Sequence, residues 1–148
     1  MRFQLIDDIL ERAADRIVAI KQVTAAEEYL ADHFPGFPVL PGVLMIEALV
    51  QAARELMGEE GRRYVLGQAK AVRYGSFVRP GETLRVEVRR EGEAEDGSLT
   101  FRGIGTVIRP ARSADDATPS AETAVSGRFT MRPVRLERNA PAAIAEAT

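Results

Sequence analysis

Two residues of this chain have side chains suited to acid–base chemistry. His33 is the single histidine of the 148-residue sequence, and Glu47 follows fourteen positions later inside a mostly apolar stretch. A histidine ring titrates close to neutrality, so it takes up and releases protons at physiological pH. A carboxylate among apolar residues is costly unless a function requires it. The two residues therefore predict an acid–base site, in which we expect Glu47 to be buried.

The segment that joins them is a proline-rich loop. Pro35, Pro38 and Pro41 each fix the backbone angle φ and lack an N–H donor, so regular helix and central strand are excluded there. The loop that presents His33 is therefore predicted to be stiff.

A helix is predicted directly after this loop, over residues 43–57. The stretch has strong helix formers, no internal glycine or proline, and Gly58 behind it as a C-terminal cap. Its first two turns are apolar almost all round, which is typical of a helix wrapped by a sheet. Glu47 and Gln51 are one turn apart and share a face.

The rest of the chain reads mainly as strands. Alternating or β-branched runs predict strands over residues 16–24, 64–72, 83–90, 98–108 and 124–131, and Asp96-Gly97 predicts a hairpin turn. Residues 5–10 are expected to form a short helical turn or a docked segment, and residues 25–32 a helical turn. The sum is an α+β single domain over residues 1–132, with an extended flexible loop at 109–122 and a disordered tail at 133–148.

Composition excludes several classes of function. The chain has no cysteine and one histidine, which excludes disulfides, cysteine zinc sites and a multi-histidine metal site within one chain. A formal charge of −2 disfavours nucleic-acid binding. Acidic residues stand where a signal peptide would be apolar, and no apolar run approaches the roughly 20 residues of a membrane span. We therefore expect a cytoplasmic protein that binds neither nucleic acid nor membrane.

One long motif resembles a known family. The pattern His33-Phe34-Pro35-Gly36-x-Pro38-Val39-x-Pro41-Gly42-Val43-Leu44-x-x-Glu47-Ala48-x-x-Gln51 is similar to the signature of the 3-hydroxyacyl-[acyl-carrier-protein] dehydratases of the FabZ type. Weaker similarity extends from about Leu5 to Met131. The resemblance implies the hot-dog fold, a curved antiparallel sheet wrapped around one long central helix. It also implies an active site at a dimer interface, with His33 of one subunit facing the partner subunit's Glu47.

The resemblance assigns roles to the residues of the motif. His33 is expected to remove the C2 proton of a 3-hydroxyacyl thioester, and a protonated Glu47 to give a proton to the leaving C3 hydroxyl. The backbone N–H of Gly42, at the helix N-terminus, is expected to stabilise the negative charge on the thioester oxygen. The carbonyl of Val39 is expected to fix the tautomer of the histidine.

Two further assignments have alternatives. Gln51 is either a polar residue of the site wall or a structural hydrogen-bonding residue that binds a loop carbonyl. Phe34 and Phe37 either line a tunnel for the acyl chain or pack at an interface. The sequence departs from the family pattern at Asp32, where the family has glycine, and at residues 74–77, where it has a Phe-Arg-Arg-Pro-like run.

The function implied is the dehydration of (3R)-3-hydroxyacyl-[acyl carrier protein] to the trans-2-enoyl thioester in fatty acid biosynthesis. Such a hydro-lyase needs no metal and no organic cofactor, and its partners are the acyl carrier protein and a second copy of the chain, as a homodimer or a trimer of dimers. One alternative is another hot-dog thioester enzyme, an acyl-CoA hydratase or a thioesterase. The other is a non-catalytic acyl-carrier-binding protein, which the joint presence of His33 and Glu47 disfavours.

Overall fold

The computed structural model describes residues 3–111, 113 and 120–135, which form a curved six-stranded sheet around one long helix. The elements in chain order are β1 (Asp8–Arg12), β2 (Arg16–Gln22), α1 (Gly42–Met57), β3 (Tyr64–Tyr74), β4 (Thr83–Glu93), β5 (Leu99–Arg109) and β6 (Ser120–Pro133), with short 3₁₀ turns at Glu28–Leu30 and Gly58–Arg63. The strand order is β1-β2-β4-β5-β6-β3, and all neighbours are antiparallel. The predicted α+β hot-dog fold is confirmed.

The helix lies in the concave face of the sheet. Its apolar side chains pack there, and one residue of β5, Gly103, has no side chain to keep it away. The residues of α1 that are buried are Met45, Ala48, Leu49, Val50, Ala52 and Ala53. A Cβ atom added at Gly103 would lie 2.8 Å from Cδ1 of Leu49, closer than packed carbon atoms approach. Glycine at this position of β5 is therefore what lets the middle of α1 pack directly on the sheet.

The start of the chain differs from one of its two predicted forms. Residues 8–12 form a strand, so the predicted helical turn is wrong, whereas Leu5 is docked in the core with 1% of its surface exposed. The reason is that β2 offers a free edge, whose carbonyl at Ile20 accepts a 2.8 Å hydrogen bond from the N–H of Asp7. Backbone pairing across this edge satisfies groups that a lone helical turn would leave open.

The connection from β5 to β6 is shorter than the predicted flexible loop at 109–122. Arg109 still belongs to β5 and residues 120–122 already belong to β6, with Val107 paired to Glu122 across the ladder. An ion pair of 3.2 Å between Arg109 and Glu122 closes this end. Residue 112, residues 114–119 and residues 136–148 lie outside the described part, so those portions of the predicted loop and tail stay predictions. Of the predicted tail, residues 133–135 are described, and there the N–H of Val134 donates a 2.7 Å hydrogen bond to the carbonyl of Arg63.

Strand β3 forms one edge of the sheet and is open to solvent along most of its length. Its partner on one side is β6, and Leu66 and Tyr74 are among its exposed apolar side chains. An open edge with apolar side chains is a surface on which another strand can pair. Among the described residues, no helix is long and apolar enough to cross a membrane.

The seating of α1 on β5 gives a first prediction. We expect Gly103→Ala to lower the free energy of unfolding by about 1–3 kcal/mol, because the new methyl group pushes Leu49 out of its place. Urea denaturation at a fixed protein concentration measures this change.

The matched control is Gly92→Ala, since a Cβ at Gly92 meets no atom within 4 Å. It should change stability by less than about 0.5 kcal/mol. Equal effects of the two substitutions would show that α1 does not rest on Gly103.

Candidate active site

The loop before α1 holds the imidazole of His33 by one ring nitrogen. Nδ1 lies 3.2 Å from the carbonyl oxygen of Val39, a residue that is itself 1% exposed. A carbonyl oxygen only accepts hydrogen bonds, so Nδ1 carries the proton in this contact and Nε2 keeps its lone pair. The contact expected from the sequence between His33 and Val39 is therefore present, and it leaves Nε2 as a basic nitrogen.

The residue after the histidine has an unusual backbone conformation. Phe34 has a φ of +55°, and its carbonyl accepts a 2.7 Å hydrogen bond from the N–H of Phe37, which closes a tight turn. The ring of Phe34 meets that of His33 edge to face, with 4.5 Å between centroids. A left-handed conformation in a bulky residue costs about 1–3 kcal/mol, and such strain concentrates at functional sites.

The N-terminus of α1 offers free backbone donors near this loop. The carbonyl of Pro41 accepts hydrogen bonds from the N–H groups of Leu44 and Met45, at 2.9 and 3.2 Å, and no side chain caps the helix. The ring of Tyr74 packs against the first residue, since a Cβ at Gly42 would lie 2.7 Å from its Cε1. Gly42 is thus the residue type that this close approach requires, and within the described chain its N–H has no recorded acceptor.

Glu47 is not buried in the single chain, and the expectation of a buried acid is wrong there. Its side chain is 36% exposed, and its Oε1 receives a 3.1 Å hydrogen bond from Gln51 and lies 3.6 Å from a guanidinium nitrogen of Arg54. The reason is helical geometry, because residues 47, 51 and 54 form a stripe on the side of α1 opposite to Leu49 and the sheet. Apolar sequence neighbours did not determine which side the sheet covers.

The side-chain amide of Gln51 makes the predicted hydrogen bond to a loop carbonyl, and its role in the site wall stays a prediction. Its Oε1 accepts a hydrogen bond from the N–H of Leu5 at 2.9 Å, and its Nε2 donates to the carbonyl of Phe3 at 3.0 Å and to Glu47. The amide therefore ties the N-terminal segment to α1 and also orients the carboxyl group of Glu47.

The two candidate acid–base groups do not meet within one chain. In residues 3–111, no hydrogen bond or ion pair joins His33 to Glu47, whose recorded partners are those named above. The same part of the chain contains no cluster of three His, Asp or Glu side chains that could hold a metal ion. The structure thus places the base and the acid on the loop and the helix, without pairing them inside one subunit.

The aromatic residues of the loop are exposed. Phe34 is 57% and Phe37 41% exposed. Phe37 meets Phe77 edge to face at 5.7 Å between centroids, and the guanidinium of Arg79 lies 4.5 Å above its ring. These contacts tie the loop to the segment after β3, and a role of Phe34 or Phe37 in an acyl tunnel stays a prediction.

Two residues near the site had no predicted role. The spacing of Arg54 could have indicated its contact with Glu47, because residues 47, 51 and 54 lie on one face of a helix. Tyr74 stood in the sequence only as a departure from the family pattern. Its contact with Gly42 depends on the long-range position of β3, which local patterns do not report.

Most of the chain is similar in sequence to known dehydratases. Residues 10–109 match the family model of ApeI-like proteins, described as ApeI dehydratase. The chain is 39% identical over 107 residues to the 3-hydroxyacyl-[acyl-carrier-protein] dehydratase FabZ of Thermotoga petrophila, covering 71% of this chain and 77% of the relative. It is also 39% identical over 125 residues to the FabZ dehydratase of Chloroflexus aggregans, covering 81% and 82%.

Solved structures share the fold at lower identity. The dehydratase heterocomplex ApeI:P from Xenorhabdus doucetiae superposes with a TM-score of 0.62 at 18% identity, covering 88% of this chain and 99% of that one. A Streptococcus mutans protein bound to acetyl CoA gives a TM-score of 0.61 at 13% identity, covering 90% and 92%. The helix wrapped by its sheet, the motif from His33 to Gln51 and the matches over most of the chain lead to one conclusion: this chain belongs to the hot-dog family of 3-hydroxyacyl-[acyl-carrier-protein] dehydratases of the FabZ type.

Proposed function

We propose that the protein converts (3R)-3-hydroxyacyl-[acyl carrier protein] to trans-2-enoyl-[acyl carrier protein] and water, as a hydro-lyase of fatty acid biosynthesis in the cytoplasm. The observation that carries the proposal is the contact of His33 Nδ1 with the Val39 carbonyl, since it leaves Nε2 free to act as a base. Membership of the dehydratase family favours this reaction over an acyl-CoA hydratase, a thioesterase or a non-catalytic carrier-binding protein.

The proposed chemistry gives one role to each of three groups. Nε2 of His33 takes the C2 proton, and the electron pair of that C–H bond forms the C2–C3 double bond as the C3–O bond breaks. The carboxyl group of Glu47 gives a proton to the departing hydroxyl, which leaves as water. Charge that develops on the thioester oxygen is stabilised by the N–H of Gly42, at the positive end of the α1 dipole.

The working unit of this proposal is a homodimer, in which His33 acts with the partner subunit's Glu47. Two features support it: the acid and the base have separate partners within one chain, and β3 presents an open edge with apolar side chains. The exposed side of Glu47 is then available to a second subunit and to substrate. Further assembly into a trimer of dimers belongs to the same proposal.

Removal of either group gives a direct test. We expect His33→Ala and Glu47→Gln each to lower kcat by about 10²–10⁴-fold, the range that a positioned acid or base contributes. The assay supplies crotonyl-[acyl carrier protein] and follows the loss of the enoyl thioester absorbance in the hydration direction.

The control for the acid is Glu55→Gln, an exposed carboxyl on the same helix that pairs with Arg12. It should keep the activity of the parent protein. Near-normal rates in Glu47→Gln would remove Glu47 from the mechanism, and turnover of a coenzyme A ester alone would favour the hydratase instead.

The shared site makes a separate prediction about mixed dimers. A dimer of one His33→Ala chain and one Glu47→Gln chain contains one site with both substitutions and one with neither, if the residues act across the interface. Dimers purified with two different affinity tags should therefore regain about half of the parent activity, as expected when catalysis needs both groups at one site.

The outcome is different if each chain uses its own two residues. Every site of the mixed dimer then lacks one group, and activity stays as low as in the two parent variants. That result would refute the shared site, but it would not contradict the proposed dehydratase activity of the parent protein.

A further inference from the structure

Arg54 is held in place from two sides at the end of α1. Its Nε donates to the carbonyl oxygen of Tyr64 at 3.2 Å, and its side chain is 35% exposed. The following 3₁₀ turn packs closely on its backbone, since a Cβ at Gly61 would overlap the carbonyl oxygen of Arg54. The hydrogen bond to Tyr64 holds the guanidinium and the packing at Gly61 holds the backbone that carries it, so the side chain has lost part of the freedom that makes most surface ion pairs weak.

The anchored guanidinium and the amide of Gln51 meet the same atom. Oε1 of Glu47 lies 3.1 Å from Nε2 of Gln51 and 3.6 Å from a terminal nitrogen of Arg54. No hydrogen bond or ion pair is recorded for Oε2 among the described residues. The two oxygens of one carboxyl group therefore have different surroundings.

We propose that Arg54 is a positioning residue, which together with Gln51 makes Oε1 of Glu47 the accepting oxygen and Oε2 the oxygen that faces substrate. The inference deepens the proposed function, since it takes Glu47 as the group that serves the leaving hydroxyl. The amide NH₂ of Gln51 is a donor only, so the oxygen that it bonds has to accept, and the guanidinium charge 3.6 Å away draws negative charge to the same oxygen. When the carboxyl group carries a proton, that proton consequently sits on Oε2, where it can be given to the C3 hydroxyl.

This role differs from that of a residue that binds substrate. Arg54 acts through Glu47, so its loss should lower kcat and leave KM for the acyl carrier substrate within about twofold. We expect Arg54→Met to lower kcat about tenfold, because a misdirected carboxyl group still reaches substrate part of the time. Arg54→Lys retains a cationic donor near Oε1 and should recover most of the lost kcat.

The matched control is Arg62→Met in the adjoining turn. Arg62 is 81% exposed and pairs with Glu59 at 3.7 Å, away from Glu47. It should leave kcat and KM unchanged. An equal loss in Arg54→Met and Arg62→Met would overturn the proposal, because it would show a general effect of charge or stability.

A double-mutant cycle separates positioning from support of the fold. In a Glu47→Gln background, Arg54→Met should lower kcat no further, since the group through which Arg54 acts is already changed. A second tenfold loss in that background would refute action through Glu47.

A measurement independent of turnover keeps the inference distinct from the proposed function. The ¹³C resonance of the Glu47 carboxyl carbon, assigned by its absence in Glu47→Gln, should move in Arg54→Met and stay in place in Arg62→Met. If the parent protein fails to hydrate crotonyl-[acyl carrier protein] but the resonance moves, the proposed function is wrong and the contact of Arg54 with Glu47 stands. An unmoved resonance would refute the contact itself.

Discussion

The contact of Leu49 with Gly103 places one helix close to the concave face of the sheet, and the whole candidate site depends on that placement. Two of the three groups in the proposed chemistry lie on α1: the free N–H groups of its first turn and the carboxyl group of Glu47. A helix is stiff over a few turns, so a shift at its middle moves both together. Because interiors pack with few gaps, the site inherits its precision from the core.

A group of hydrogen bonds lies on the face of α1 that the sheet leaves uncovered. There Gln51 uses its oxygen and both hydrogens of its amide, toward Leu5, Phe3 and Glu47. Such a network leaves the carboxyl group little choice of orientation, although it is partly in contact with water. Orientation of Glu47 thus comes from hydrogen bonds on its own helix face, and not from burial.

Much of the fold followed from local chemistry. Proline spacing, helix formers ending at Gly58 and alternating runs were enough to place α1 and most strands within a few residues, because each pattern expresses a backbone preference. The motif from His33 to Gln51 identified the family, and with it the wrapping of the sheet around the helix. The Val39 contact was also expected, as one of the roles that the resemblance assigns within the motif.

What escaped prediction depends on contacts distant in sequence. Strand β1 is short and carries acidic residues, and it forms because β2 supplies a free edge. The exposure of Glu47 was missed because its apolar neighbours face the sheet while it does not. Tyr74 contacts Gly42 only because of where β3 lies in the sheet, so the residues around Tyr74 did not indicate that contact.

The amide of Gln51 makes the N-terminal segment a working part of the site, with a thermal consequence. Residues 3–5 lie outside the paired strands, and a segment held in this way opens locally on warming before the whole fold melts. When residues 3–5 detach, Gln51 loses two of its three partners and Glu47 loses its fixed neighbour. Catalytic inactivation should therefore set in at a lower temperature than melting of the sheet, as a local event at the edge of a fold that is still intact.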